Sequence, residues 1–180
     1  MTNERIRRVL ETIPDPEMPI SIVDLGLLHA VRVLRPDAEH DASRGAPSPS
    51  HVRVEIDLIP TFVGCPALDM IREQVCAKVA SETGCRDVRV NFVHEPPWSV
   101  DRISAAGREQ LRSFGVTVPD RSSPGAAGAL VPLTVSGAAP ACPFCGAAQV
   151  ELTSRFGPTR CKMIYYCNAC RNSFEHLKPV

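Results

Sequence analysis

The chain has 180 residues, 44% of them hydrophobic, with 20 Lys and Arg against 20 Asp and Glu. That length suits one ordinary domain with a small appendage, and a net charge of zero offers no field to gather nucleic acid or anionic lipid. No apolar run nears the ~20 residues of a membrane span and no apolar leader opens the chain, so a cytoplasmic protein with reduced thiols is expected.

Residues 3–13 read as a helix capped by Asn3, with Ile6, Val9, Leu10 and Ile13 on one face and Pro14 and Pro16 as its stop. His29 to Arg35 reads as a strand, followed by a Pro/Ser/Ala-rich loop over Pro36–Ser50 with no evident function. In the next strand Val52, Val54, Ile56 and Leu58 alternate with Arg53, Glu55 and Asp57, so one face is expected buried and the other wet. Pro66 to Thr83 then reads as a helix stopped by Gly84, and Val88, Val90 and Phe92 mark a third strand. A last helix is expected from Ile103 to Phe114, between Ser104 and Gly115. This order predicts an α+β domain over residues 1–116, a Pro/Gly/Ala linker over 117–140 and a separate small domain over 141–180.

Five of the eight cysteines fall in that last segment. Cys142-Pro143-Phe144-Cys145 is followed, after 21 intervening residues, by Cys167-Asn168-Ala169-Cys170. Two C-x-x-C pairs at this separation are the spacing of a tetrahedral four-thiolate site, each pair contributing two ligands from one tight turn. So short a segment needs a metal to fold, because its core alone is too small. Gly146 suits the first turn, whereas Arg171 stands where a glycine would be easier, so the second turn is expected to be less regular. Zinc is the expected structural metal, although four thiolates also suit iron. Cys161, between Arg160 and Lys162, is either a packed strand residue or a spare ligand whose thiolate those cations favour.

Two further places could carry chemistry. Thr61-Phe62-Val63-Gly64-Cys65-Pro66 joins the best strand to the best helix and puts Cys65 at or beside the helix N-cap. Free N–H groups and the helix dipole there favour a thiolate, and Thr61 could hydrogen-bond across the turn. Cys76 and Cys85 lack such a setting and read as structural. The second place is the acidic turn, Asp15 and Glu17 around Pro16, followed by Asp24. No histidine or nucleophile is paired with it in sequence. His29, His40, His51, His94 and His176 are scattered and read as solvated or locally hydrogen-bonded.

These residues carry a resemblance. The Asp15–Glu17 turn, Ile22-Val23-Asp24-Leu25-Gly26-Leu27-Leu28, the Thr61–Pro66 segment and Pro96-Pro97-Trp98 through Ile103 are similar to the small iron–sulfur-assembly domain. That domain occurs in eukaryotic cytosolic iron–sulfur targeting factors and in bacterial proteins of the SufT type. The last segment, residues 141–180, reads as a zinc ribbon and, with Phe156-Gly157-Pro158-Thr159-Arg160-Cys161-Lys162 and Phe174, resembles that of the phenylacetate-degradation protein D family. The resemblance implies a non-enzymatic maturation factor beside the oxygenase that epoxidises the ring of phenylacetyl-coenzyme A. That oxygenase has a di-iron subunit and a reductase with a [2Fe–2S] cluster. It also implies that Cys65 is the reactive thiol, Asp15 and Glu17 its acidic turn, and the paired ribbon cysteines zinc ligands.

Iron or an iron–sulfur cluster would then be a transient cargo, and the oxygenase and reductase subunits would be the partners. One cysteine cannot hold a cluster alone, so a homodimer, the acidic turn or ligands from the client must complete the coordination. A different class of function is a nucleic-acid- or protein-binding ribbon on which Phe144, Phe156, Tyr165, Tyr166 and Phe174 could stack bases. The neutral chain and a mild basic excess in the ribbon weigh against nucleic acid. A thiol enzyme built on Cys65 ranks last, for want of a paired base.

Overall fold

The computed structural model describes residues 1–35, 52–120 and 139–178; the Pro36–Ser50 loop and most of the expected linker lie outside them. The chain divides into two compact units, Met1–Trp98 and Ser99–Val180. This boundary is earlier than the expected one after residue 116, and the strand pairings of the second unit give the reason.

The first unit is built on helix α1 (Asn3–Glu11), strands β1 (Leu28–Leu34) and β2 (Arg53–Leu58), helix α2 (Leu68–Thr83) and strand β3 (Asp87–Phe92). Thr2, not Asn3, caps α1: its hydroxyl accepts from the Arg5 N–H at 3.3 Å. The sheet runs β1-β2-β3, with β1 and β2 antiparallel and β2 and β3 parallel across the α2 crossover. Val54, Ile56 and Leu58 on the central strand are fully buried, as are Ile6 and Leu10 of α1 and Val75 and Val79 of α2. Each such side chain contributes roughly 1.5–3 kcal/mol by leaving water.

One residue of β2 departs from the expected alternation. Asp57 is buried rather than wet. Arg32 Nη1 and Nη2 donate to its two oxygens at 2.7 and 3.0 Å, and Asn91 Nδ2 donates at 3.0 Å. The Arg32 guanidinium holds this carboxyl below the usual carboxylate range. Alternation marks Asp57 as facing away from the apolar core; that its face is covered follows from register, which sets Asn91 opposite it and Arg32, opposite Glu55, on the diagonal.

The described residues of the second unit hold a 3₁₀ turn (Val100–Arg102), helix α3 (Ala105–Ser113) and strands β4 (Val116–Thr117), β5 (Val150–Ser154), β6 (Lys162–Cys167) and β7 (Ser173–Leu177). The Ser104 hydroxyl caps α3, accepting from the Gly107 N–H at 2.9 Å. The sheet order is β4-β7-β6-β5. Val116 and Thr117 pair in parallel with Glu175 and His176. Composition assigns these residues to the end of one domain and the start of a linker, but strand pairing ties them to the ribbon sheet. Gly115 makes the bend into β4 at φ +78°, and a Cβ there would lie 2.7 Å from the Phe144 ring. Only glycine meets both demands. Among the described residues no helix is long and apolar enough to cross a membrane.

Candidate functional site

The paired ribbon cysteines converge. The four sulfurs of Cys142, Cys145, Cys167 and Cys170 all lie within 4.8 Å of one another. Cys142 Sγ is 3.6 Å from Cys170 Sγ, and Cys145 Sγ is 3.6 Å from Cys167 Sγ. Metal–sulfur bonds of about 2.3 Å in a tetrahedron set the sulfurs about 3.8 Å apart, so the cage fits one ion.

The two knuckles repeat the same backbone wiring. The Cys142 N–H donates to Ala147 O and the Gly146 N–H to Cys142 O, both at 2.9 Å. Twenty-five positions on, the Cys167 N–H donates to Asn172 O at 2.9 Å and the Arg171 N–H to Cys167 O at 2.8 Å. Gly146 has φ +74° and Arg171 φ +61°, so Arg171 adopts the left-handed conformation and the second turn is as regular as the first. This corrects the expectation of an irregular turn: tight ligand geometry outweighs the strain of a side chain there.

Electrostatics asks for a cation in the cage. The Ala147 N–H is the largest influence on Cys145 and favours its thiolate, but desolvation and the neighbouring sulfurs outweigh it and push that thiol up to about 12. Cys170, helped first by the Asn172 N–H, is brought down to about 6. Four sulfurs this close cannot all ionise unless a positive ion shares the charge. Phe174 is buried with Cys142 and Cys167, Tyr165 packs against that cluster, and the two rings stack at 5.7 Å. Those aromatics cover the metal site, whereas Phe144 and Phe156 are exposed.

Cys161 stands apart from the cage. It is buried, and its sulfur is 3.1 Å from Thr159 Oγ1. Lys162 is buried as well, and its ammonium pairs with Glu175 Oε2 at 2.7 Å. That ion pair was not apparent from the sequence, because alternation along β6 says nothing of a charge turned inward.

In the first unit, folding brings two of the sequence candidates together. Cys65 Sγ lies 3.9 Å from Glu17 Oε2, across 48 positions of chain. The turn that presents Glu17 is held by Asp15, whose Oδ1 accepts the Glu17 N–H at 2.9 Å, and by the Asp15 N–H to Ile20 O at 2.9 Å. Asp24 belongs to the next turn, where its N–H donates to Ser21 Oγ at 3.0 Å and its carboxylate accepts from the Ser21 hydroxyl at 2.9 Å. The Thr61 hydroxyl has no hydrogen-bond partner among the described residues. Cys65 does not sit at the N-cap: α2 starts at Leu68, its cap is Ala67, and Cys65 belongs to the preceding turn, where its carbonyl accepts from the Leu68 N–H at 3.4 Å. Pro66 fits that turn as well as a first helical position, so sequence could not separate the two. Phe62, Val63 and Met70 surround this stretch of chain as exposed apolar residues.

Comparison with known proteins places these sites in context. A protein of Escherichia coli K12, provisionally named as a component of 1,2-phenylacetyl-CoA epoxidase, is 30% identical over 173 residues, 96% of this chain and 90% of that one. The chain belongs to the PaaD family. The model of the PaaD zinc beta ribbon domain matches residues 131–178, which include all four cage cysteines. That of an iron-sulfur cluster assembly protein matches residues 3–39, which include Asp15, Glu17 and Asp24 but not Cys65. An Fe-S protein maturation auxiliary factor of Porphyromonas gingivalis is 36% identical over 110 residues, 61% of this chain and 90% of that one. A crystal structure of a domain of unknown function from Bacillus anthracis is 25% identical with a TM-score of 0.46, covering 58% of this chain and 86% of that one. This PaaD-family chain thus carries, besides its α+β domain, a zinc-ribbon domain with a four-cysteine metal-binding cage.

Proposed function

We propose that the chain is a non-catalytic accessory factor that handles iron for the assembly of iron–sulfur or di-iron centres, with Cys65 and Glu17 as its transfer site. The observation that carries the reading is the 3.9 Å approach of the Cys65 sulfur to the Glu17 carboxylate. A soft thiolate and a hard carboxylate at that spacing suit two ligands of one iron, and two protein ligands leave the remaining positions to a client or a second copy of the chain. Such a site binds its cargo and gives it up, as a closed four-thiolate cage does not. The exposed Phe62, Val63 and Met70 offer an apolar rim on which a client can seat and exclude water.

The names of the relatives support the direction of this reading: one speaks of Fe-S protein maturation, the other of a phenylacetyl-CoA epoxidase. By extension the clients are the oxygenase and reductase subunits of a phenylacetyl-coenzyme A epoxidase, met in the cytoplasm. The ribbon cage holds structural zinc through Cys142, Cys145, Cys167 and Cys170, and Asp15 acts by positioning Glu17. The deciding experiment compares Cys65→Ser and Glu17→Gln with the wild type in a strain lacking the native factor. Client metal occupancy and oxygenase activity should drop together in both variants. Wild-type occupancy with Cys65→Ser would sink the proposal.

A further inference from the structure

The second unit contains a cavity of about 1280 Å³ that the iron-handling reading does not use. Arg112 and the Val116–Pro119 segment line one part of it; Leu152, Met163, Tyr165 and His176 of the ribbon sheet line another. Arg155, Phe156 and Lys178 complete the set that matters here. Several of these groups are unusual for a surface with no ligand. Leu152 is 40% exposed and Phe156 77% exposed. Lys178 Nζ stands 5.1 Å over the Phe156 ring, which pairs a cation with an aromatic face at the cavity. Arg112 and Arg155 make no ion pair among the described residues. His176 is buried, and its Nδ1 is 2.8 Å from Thr117 Oγ1.

Ligand pockets are typically about 300–1,000 Å³, mostly apolar with a few placed polar groups, and this cavity is large enough to enclose a drug-sized molecule. The lining cations Arg108, Arg112, Arg155 and Lys178 outnumber the lining carboxylates Glu109 and Asp120. Arg108 already donates to Pro119 O at 2.9 Å and to Val100 O at 2.5 Å, and Lys178 Nζ donates to Arg160 O at 2.6 Å; Arg112 and Arg155 are thus the main cations for a ligand, with the two remaining ammonium N–H groups of Lys178 beside them. Guanidinium groups favour phosphate and carboxylate oxygens, and an apolar wall favours an aromatic or acyl body.

We infer that this cavity binds an amphipathic organic anion, its apolar body against Leu152, Phe156, Met163 and Tyr165 and its charge toward Arg112, Arg155 and Lys178. A free aromatic carboxylate and an acyl thioester of a phosphate-bearing carrier share that chemistry, and the probes separate them. The choice of probes rests on the proposed function; the site does not. Phenylacetyl-coenzyme A, coenzyme A and phenylacetate are titrated into the full, metal-loaded chain by calorimetry.

Saturable one-to-one binding is expected for phenylacetyl-coenzyme A, at least about tenfold tighter than for either half alone. Tightest binding of phenylacetate would instead assign the site to free carboxylates, with the same residues. The double variant Arg112→Ala/Arg155→Ala should weaken binding at least about tenfold, and Phe156→Ala by several-fold, with metal content and circular dichroism unchanged. Cys65→Ser should bind as the wild type does, so loss of maturation and loss of binding are separate results. Absence of saturable binding up to about 1 mM of every probe, or binding unaffected by both variants, overturns the inference. Nuclear Overhauser contacts from residues 121–138 to Leu152 and Phe156 in the ligand-free chain would overturn it too, by making the chain itself the occupant.

Discussion

In the ribbon, four sulfurs lie within 4.8 Å of one another, whereas Cys65 meets one carboxylate at 3.9 Å. The cage supplies every ligand an ion needs, and aromatic rings roof it. The Cys65 turn supplies two at most and exposes an apolar rim. The donor atom is the same and the consequence opposite: the first arrangement converts metal binding into folding energy, and the second, in the proposed function, leaves coordination positions for exchange. The proposed function, in which the chain keeps one metal and passes on another, calls for the two kinds of site to be apart. Here they fall in different compact units.

The sharpest way to break the contrast is to open the cage. Replacing any one of Cys142, Cys145, Cys167 and Cys170 by Ser should release the metal and unfold the ribbon, because structural zinc is worth about 10–16 kcal/mol in small domains. Metal analysis and amide NMR would report it, with α1, α2 and β1 to β3 keeping their signals. Cys161→Ser is the matched control and should retain the metal. Retention by Cys167→Ser together with loss by Cys161→Ser would mean that the cage is drawn with the wrong sulfur.

Cys65→Ser should do the reverse. Client maturation should fall at least about tenfold while unfolding free energy, for this half-buried thiol, changes by no more than about 1 kcal/mol. A large loss of stability would put Cys65 among packing residues and remove the contrast with the cage.

Much of this contrast was legible in the sequence, for physical reasons that differ by site. The cage ligands are read from spacing because each knuckle is one local turn, and helices and strands of the first unit are read from period. The Cys65–Glu17 approach joins positions 48 apart and was available only as two separate motifs. The buried Asp57 and the pairing of Val116 and Thr117 with β7 depend on tertiary register, which no local pattern encodes, whereas the Thr2 cap is a local contact in which two adjacent capping residues, Thr2 and Asn3, competed. Linker-like composition beginning at Val116 concealed a strand two residues long.

A smaller effect tests how tightly the ribbon side of the comparison is packed. Burial lowers His176 to about 4. The unfolded chain takes up a proton there near pH 6.5, the ordinary histidine value, while the folded chain does not until about 4. More protons on the unfolded state mean that stability rises with pH through this window. The contribution is therefore intact above about 6.5 and is lost progressively as pH falls toward 4. Denaturant unfolding of the metal-loaded chain should show that slope, and His176→Gln should flatten it. Parallel curves for the two proteins would mean that His176 is hydrated in solution.

The smallest expected effect lies inside the cage, where the two knuckles can be compared with each other. They share hydrogen bonds, turn length and a left-handed residue after the second cysteine, but the first uses Gly146 and the second Arg171. A left-handed conformation costs a residue with a side chain about 1–2 kcal/mol relative to glycine. Against this, glycine loses more backbone freedom on folding, roughly 0.5–1 kcal/mol. Arg171→Gly should therefore stabilise the metal-loaded ribbon by about 0.5–1 kcal/mol, without altering metal stoichiometry. Arg171→Ala separates the backbone from the charge: it keeps the strain and removes the guanidinium, so it should leave stability nearly unchanged. If Arg171→Gly destabilises the ribbon instead, the arginine side chain contributes more than its backbone strain costs. The two knuckles would then be unequal in energy despite their shared geometry.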